Sequence, residues 1–221
     1  MDSSKKVALV LFSGGRDSSA TAIEMVRAGY SVRLFTYQAG LAELVGPHGD
    51  SAPDIRHMEL MNAFTQHIDA KRIITGNLYL VRKLAIDKTN STHVVYPIAL
   101  ALAVHSGAIL YCLENDIHDI ACGYSGYQAQ QDRYIEQRDD FFERMRVFLK
   151  EYGIEYHTPI IKKSKQDVMD ILEQCGISSN SLENKSIFGA VPFEVDKASE
   201  YWNESLPACR EYIAHMQFPR A

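Results

Sequence analysis

The stretch from residue 7 to residue 37 constrains the fold more than any other part of the chain. Val7 to Phe12 is a continuous apolar run preceded by Lys5 and Lys6, the pattern of a short strand buried on both faces, as in a parallel sheet. Ser13-Gly14-Gly15 breaks that run. From Asp17 to Ala28 the residues Ala20, Ala22, Ile23 and Val26 fall near helical spacing, and Gly29 suits the position just past a helix end. Ser31 to Tyr37 then alternates, with Val32 and Leu34 flanking Arg33, and reads as a second strand. The stretch is a β-α-β unit, and such a unit calls for parallel strands joined by a crossover helix.

The same alternation continues downstream. Leu41 to Pro53 holds Gly46, Pro47 and Gly49 without any period and reads as a loop over a site or an insertion. Helical spacing resumes at Ile55, with Met58, Met61, Phe64 and Ile68, and Lys71 to Thr75 reads as a third strand. Pro97 suits a first helical turn, and Ile98 to Val104 looks like a buried helix. Asp119 to Cys122 is predicted as a fourth strand, Arg133 to Tyr152 as a long amphipathic helix, and Ile154 to Ile161 as a fifth strand. Ser164 with Asp167 three residues on resembles a capping box, opening a helix that ends at Gly176. These elements predict a doubly wound α/β fold, with a mostly parallel five-stranded sheet and helices on both faces. The expected division is a nucleotide-binding domain over residues 1–177 and a helical extension over 178–221, with a helix from Ala198 to His215.

Composition narrows the function classes. The 23 Lys+Arg against 28 Asp+Glu in 221 residues leave a formal net charge of -5. That argues against a nucleic-acid surface built on phosphate contacts and favours small-molecule or protein partners. The N-terminal residues show no signal peptide, and the longest apolar stretch, Val94 to Val104, is about half of the roughly 20 residues that span a bilayer. A cytoplasmic protein with no membrane segment is expected. Cys112, Cys122, Cys175 and Cys209 are too scattered for a C-x-x-C pair and read as reduced thiols.

Chemistry concentrates at Ser13-Gly14-Gly15-Arg16-Asp17-Ser18, where the first strand gives way to the first helix and a doubly wound sheet exposes its ligand crevice. Two glycines let the backbone approach an anion closely, so that successive amides form a nest. The helix start adds partial positive charge, and Ser13, Ser18 and Ser19 add hydroxyls. Asp17 is an unusual neighbour for phosphates unless it caps the helix or holds Mg2+. A glycine pair alone would be merely a turn; the six-residue string in this place is more specific.

That string resembles the S-G-G-x-D-S pyrophosphate loop of the ATP pyrophosphatase (PP-loop) superfamily, and it lacks the G-K-[ST] of a Walker loop. Within the superfamily the resemblance is to the 7-cyano-7-deazaguanine synthase family, over about Lys6 to Ile177. Tyr37-Gln38-Ala39-Gly40 stands in the place of that family's F-D-Y-G, and Arg56-His57-Met58-Glu59-Leu60 is similar to its R-H-x-x-E-L. Tyr124-Ser125-Gly126-Tyr127, followed by Asp132 and Arg133, resembles its Y-S-G-Y-P-D-C-R. His157-Thr158-Pro159-Ile160 with Ser164-Lys165 resembles H-x-P-(L/F)…S-K. The resemblance implies an adenine nucleotide alpha hydrolase-like, Rossmann-like fold. It also implies that ATP and Mg2+ lie against Ser13, Gly14, Gly15, Arg16, Asp17, Ser18, Ser19, Tyr37 and Lys165, with Asp17 and Lys165 catalytic. Tyr124, Ser125, Gly126, Tyr127, Arg56 and His57 would face the substrate.

Two departures accompany the matches. The family's four-cysteine zinc site is represented here by Cys209 alone, Asn184 to Ser186 standing near the place of its first cysteine, so no zinc is expected. The P-G-R-N stretch is replaced by Pro97-Ile98-Ala99-Leu100. The expected activity is adenylation of a carboxylate, 7-carboxy-7-deazaguanine or a relative, for amide or nitrile formation with ammonia or another amine. A variant reading gives the amine to a protein acceptor, by analogy with synthase-like proteins of antiphage systems. Two further alternatives are a non-catalytic nucleotide-binding scaffold and a sulfur-transfer enzyme using Cys122. A homodimer is expected from the resemblance.

Overall fold

The computed structural model describes residues 6–38, 51–76, 78–85, 96–129, 135–182 and 195–217. Residues 39–50, 130–134 and 183–194 lie outside the described residues. The central part of the expected Leu41 to Pro53 loop, the Ala39-Gly40 pair, Asp132 with Arg133, and Asn184 to Ser186 therefore carry no structural account.

The chain runs β1 (Val7–Leu11), α1 (Arg16–Arg27), β2 (Ser31–Tyr37), α2 (Ala52–Ala63), β3 (Ile73–Thr75), α3 (Leu78–Ala85), α4 (Tyr96–Asn115), β4 (Asp119–Ala121), α5 (Gly126–Ala129), α6 (Asp139–Lys150), β5 (Glu155–His157), α7 (Lys165–Gln174) and α8 (Val195–His215). A 3-10 turn at Ile135–Gln137 lies between α5 and α6. The strands form one five-stranded sheet in the order β3-β2-β1-β4-β5. Every neighbouring pair is parallel, Val7 opposite Ser31 and Ala8 opposite Asp119 setting the register at the centre. This is the doubly wound α/β fold.

Alternation along the strands decides which helix covers which face. Ala8 and Val10 of β1, Val32 and Leu34 of β2 and Ala121 of β4 pack with α1, α2 and α7. Leu9, Phe35, Ile120 and Tyr156 point the other way and pack with α3, α4, α6 and α8. Because both faces are covered, β1 reads as an unbroken apolar run. The C-terminal helix belongs to that second layer: Ala198, Tyr201, Trp202 and Cys209 are buried, and α8 lies along α4.

Several boundaries differ from the sequence reading, for identifiable reasons. The second helix starts at Ala52 rather than Ile55, because Ser51 and Asp54 form a reciprocal capping box and Pro53 occupies the first turn. The helix opened by Pro97 runs on to Asn115, well past Val104. Its continuation passes through His105 and Ser106, both buried, and the His105 ring is anchored 2.7 Å from the Ala101 carbonyl one turn back. At 20 residues α4 matches a membrane span in length and composition, yet it is sandwiched between the sheet and α8. The helix expected from Arg133 starts at Asp139, since Arg138 is extended (φ -65°, ψ 149°) and separates it from the 3-10 turn. The fifth strand ends at His157, not Ile161, and α3 carries no counterpart in the sequence reading.

Candidate functional site

The chain leaves β1 toward β2 and leaves β4 toward β5, so the topological switch point falls between β1 and β4, and the crevice opens beyond their C-terminal ends. Two segments meet there: Phe12 to Gly15, leading into α1, and Cys122 to Ser125, leading into α5.

The first segment is shaped by glycine. Gly14 sits at φ +76°, which L side chains rarely adopt, and a Cβ added there would lie 2.4 Å from the Pro53 backbone nitrogen. The start of α2 is thus pressed onto the loop. Gly15 is the N-cap of α1 and offers no side-chain oxygen to the first-turn amides, an arrangement that suits an anion. Ser13 braces the turn internally: its amide donates to Ser18 Oγ at 3.3 Å, and its Oγ accepts from the Gly15 amide at 3.3 Å. Ser18 Oγ donates to the Gly15 carbonyl at 3.1 Å and Ser19 Oγ to the same carbonyl at 2.8 Å. Ser19 is fully buried, so its hydroxyl shapes the loop from beneath and does not face the crevice.

The second segment closes over the first. A Cβ on Gly123 would lie 2.8 Å from the Ser18 backbone nitrogen, so only glycine lets the β4–α5 loop approach so near. The Tyr127 hydroxyl donates to Asp17 Oδ1 at 2.6 Å and Gln128 Nε2 donates to Asp17 Oδ2 at 3.1 Å. Asp17 is 8% exposed, so both bonds are to a largely desolvated carboxylate, the strong kind of hydrogen bond. Burial and the Asp17 carboxylate push the Tyr127 phenol well above its ordinary pKa. Gly126 completes the corner, its amide donating to the Ile161 carbonyl at 2.9 Å.

The fold therefore brings together Ser13, Gly14, Gly15, Arg16, Asp17, Ser18, Tyr124, Ser125, Gly126 and Tyr127, from two stretches more than 100 residues apart. Tyr37 ends β2, and its ring turns toward α4, 3.5 Å from the position of a Cβ on Gly107. Lys165 is the first residue of α7, exposed, and without a polar partner among the described residues. Because α7 follows β5, it begins on the same edge of the sheet as the loop.

Arg56 and His57 are not brought to the crevice. Arg56 is the largest fully buried side chain among the described residues; its guanidinium donates to Glu59 Oε2 at 2.5 Å and to the Asn180 carbonyl at 2.6 Å, tying α2 to the segment after α7. His57 Nε2 lies 2.9 Å from the Asp69 carbonyl. Ala99 and Leu100, standing where the P-G-R-N stretch has its arginine and asparagine, belong to the core, Ala99 fully buried and Leu100 partly so. Sequence spacing gave no sign of Gln128 as an Asp17 ligand; its place one step after the Tyr-Ser-Gly-Tyr string was the only available signal.

Cys122 is an unsuitable nucleophile. It is 2% exposed, burial pushes its thiol up to about 12, and its Sγ lies 2.9 Å from the Tyr156 hydroxyl. No group of three or more His, Cys, Asp or Glu side chains able to hold a metal occurs among the described residues. Mg2+ can still fit here, since it is commonly carried by substrate phosphates with one or two protein carboxylates, and Asp17 is the carboxylate at hand.

An S-G-G-R-D-S loop at the switch point of a parallel α/β sheet defines a PP-loop protein, an enzyme that uses ATP. The chain matches the family described as "Queuosine biosynthesis protein QueC" over residues 7–186, and it belongs to that family. Solved structures share the fold, two of them as follows. The U34-tRNA thiolase NcsA of Methanococcus maripaludis, solved with its [4Fe-4S] cluster, aligns over 97% of this chain and 73% of its own, with TM-score 0.52 and 12% identity. A 4-thiouridine synthetase, solved in complex with RNA and bound ATP, aligns over 95% of this chain and 54% of its own, with TM-score 0.56 and 11% identity. No curated protein sequence matches the chain significantly.

Proposed function

We propose that this enzyme is a carbon-nitrogen ligase that adenylates the carboxylate of 7-carboxy-7-deazaguanine or a close relative and passes the acyl group to ammonia or another amine. In the first step a carboxylate oxygen attacks the α-phosphorus of ATP and pyrophosphate leaves. In the second the amine attacks the acyl carbon, and AMP and a proton leave. The reading rests on one observation above the others: the Asp17 clasp to Tyr127 and Gln128 holds the nucleotide loop against the Tyr-Ser-Gly-Tyr segment, so nucleotide and base would share one crevice.

The chain's own residues act by placement. The glycine nest and the α1 amides hold phosphate, Lys165 supplies positive charge from the start of α7, and Tyr124 offers an aromatic face for a planar base. Mg2+, carried with the ATP phosphates, would screen their charge, and Asp17 would be the loop carboxylate to meet it. No side-chain nucleophile is needed, which fits the buried, protonated state of Cys122. The test is AMP and pyrophosphate release measured with and without 7-carboxy-7-deazaguanine. Release that needs this carboxylate and is lost in Lys165→Ala supports the reading. Tight ATP binding with no AMP from any carboxylated deazaguanine refutes it.

A further inference from the structure

A chain of hydrogen bonds runs through the interior from α4 across β5 to the end of β4. His105 Nδ1 lies 2.7 Å from the Ala101 carbonyl, and its Nε2 lies 2.8 Å from the Tyr156 hydroxyl. That hydroxyl lies 2.9 Å from Cys122 Sγ. His105 and Cys122 are each 2% exposed and Tyr156 is 8% exposed, so water competes little for these bonds. Phe142 stacks on the Tyr156 ring with 5.3 Å between centroids, and the His105 ring meets it edge-on at 5.4 Å.

Proton counting fixes the direction of this chain. A carbonyl oxygen only accepts, so Nδ1 carries a proton and donates to Ala101. Burial disfavours the doubly protonated ring and lowers its pKa to about 4, so the ring is neutral and Nε2 presents a lone pair. Tyr156 has one hydroxyl proton. Donated to that lone pair, it leaves the phenol oxygen to accept from the Cys122 S–H. The opposite tautomer would set an Nδ1 lone pair against the Ala101 carbonyl at 2.7 Å. The sulfur in turn accepts from the Tyr124 amide.

Cys122 is where the chain meets the crevice. Its amide donates to the His157 carbonyl at 3.0 Å, and Thr21 Oγ1 lies 3.4 Å from its carbonyl and 2.9 Å from that of Asp17. The next residue, Gly123, is the one pressed against the Ser18 backbone, and Tyr124 packs on the His105 ring with 6.3 Å between centroids. We propose that His105 is a positioning residue for nucleotide binding: by taking the Tyr156 proton it makes the phenol oxygen an acceptor for the Cys122 thiol, which holds the β4–α5 loop down on the start of α1. This goes beyond the proposed function; it requires that the loop bind ATP and is independent of which carboxylate is activated.

The experiment pairs a direct view of the protons with ATP binding. In wild type, nitrogen NMR of His105 should show the proton on Nδ1, and the infrared S–H band that vanishes in Cys122→Ala should be that of a hydrogen-bonded thiol. Tyr156→Phe should move that band to the free-thiol position. ATP affinity should fall by about 5- to 10-fold in His105→Leu and in Tyr156→Phe, fall no further in the double variant, and return to within about 2-fold in His105→Gln, whose amide oxygen accepts the Tyr156 proton. Ile109→Ala, at a fully buried position of the same helix, should lower Tm and leave ATP affinity alone. A proton on Nε2 or a free-thiol band in wild type overturns the inference without any variant, and so does a wild type that binds no ATP. Unchanged ATP affinity in folded Tyr156→Phe also overturns it, as does an equal fall in Ile109→Ala, which would make the effect merely structural. If the variants do not fold, the wild-type proton positions decide. Because ATP affinity is read without any carboxylate, these outcomes are separate from those of the AMP-release test.

Discussion

Removing the Tyr127 hydroxyl is the sharpest test of the clasp that holds the two loops together. Tyr127→Phe deletes a side-chain donor to Asp17, a bond of 2.6 Å to a carboxylate 8% exposed. Hydrogen bonds to charged groups contribute about 1.5–3 kcal/mol, and at this burial water restores little of that. For a chain of 221 residues the unfolding entropy is roughly 0.46 kcal/mol/K, so a loss of about 2 kcal/mol lowers Tm by about 4 °C. ATP affinity should fall as well, because the clasp fixes the start of α1. Denaturant unfolding of wild type, Tyr127→Phe, Asp17→Asn and the double variant isolates the pair. Asp17→Asn keeps a neutral acceptor, so the expected coupling is the charge-assisted part, about 1 kcal/mol. The phenol gives an independent reading: its raised pKa should drop in Asp17→Asn, since the carboxylate is one of its causes. Stability effects that add within about 0.3 kcal/mol, with an unmoved phenol titration, would refute the reasoning.

Four further outcomes follow from the geometry. Gly123→Ala places a methyl 2.8 Å from the Ser18 backbone nitrogen, so it should cost about 1–3 kcal/mol by unfolding and weaken ATP binding, whereas the same change at Gly153, which meets nothing within 4 Å, should leave ATP binding alone. Arg56→Ala removes a fully buried guanidinium that ties Glu59 to Asn180, so stability should drop by about 2 kcal/mol or more, while a KM change for the carboxylate larger than that for ATP would show that Arg56 reaches substrate after all. His105 is held neutral by burial, its pKa lowered from 6.5 to about 4. The unfolded chain therefore binds the extra proton between those values and stability falls as pH drops from 6.5 toward 4, by up to about 3 kcal/mol; His105→Gln should flatten that limb of the pH–stability curve. Lys165→Ala, at an exposed position, should abolish AMP release with a stability change within about 0.5 kcal/mol.

Local rules wrote the elements that carry the site. The β1 run, the Gly14-Gly15 break and the β2 alternation are all determined by neighbours within a few residues, and the observed β1, α1 and β2 follow them closely. The Ser164–Asp167 box is equally local, and both halves of it form. Elements whose identity depends on distant packing were harder to read. Helix α4 continues through His105 and Ser106 because a buried histidine there finds the Ala101 carbonyl and, 2.8 Å away, the Tyr156 hydroxyl on β5, a partner 51 positions along the chain. The 3-10 turn before α6 was read as helix because Tyr134, Phe141, Phe142 and Met145 keep helical spacing, while the chain breaks at Arg138.

The site divides along the same line. The phosphate loop is a local device, a strand end, two glycines and a helix start, so its residues could be named from a string of six. What surrounds it is assembled from afar: Gln128 and Tyr127 on Asp17, Pro53 on Gly14, and Gly123 on Ser18. Arg56 shows the cost of carrying a motif over without its partners. A charged residue in a family-like string reads as a ligand-binding group, yet Glu59 and Asn180 hold it in the interior, where its role is to fix α2 and hence the Pro53 contact with the loop. Glu136 and Gln137 are likewise marked by no motif, and only the fold shows each to be buried with an acceptor oxygen unpaired. The nucleotide loop is thus written in short-range sequence, whereas the side chains packed around it are gathered by the fold from distant parts of the chain.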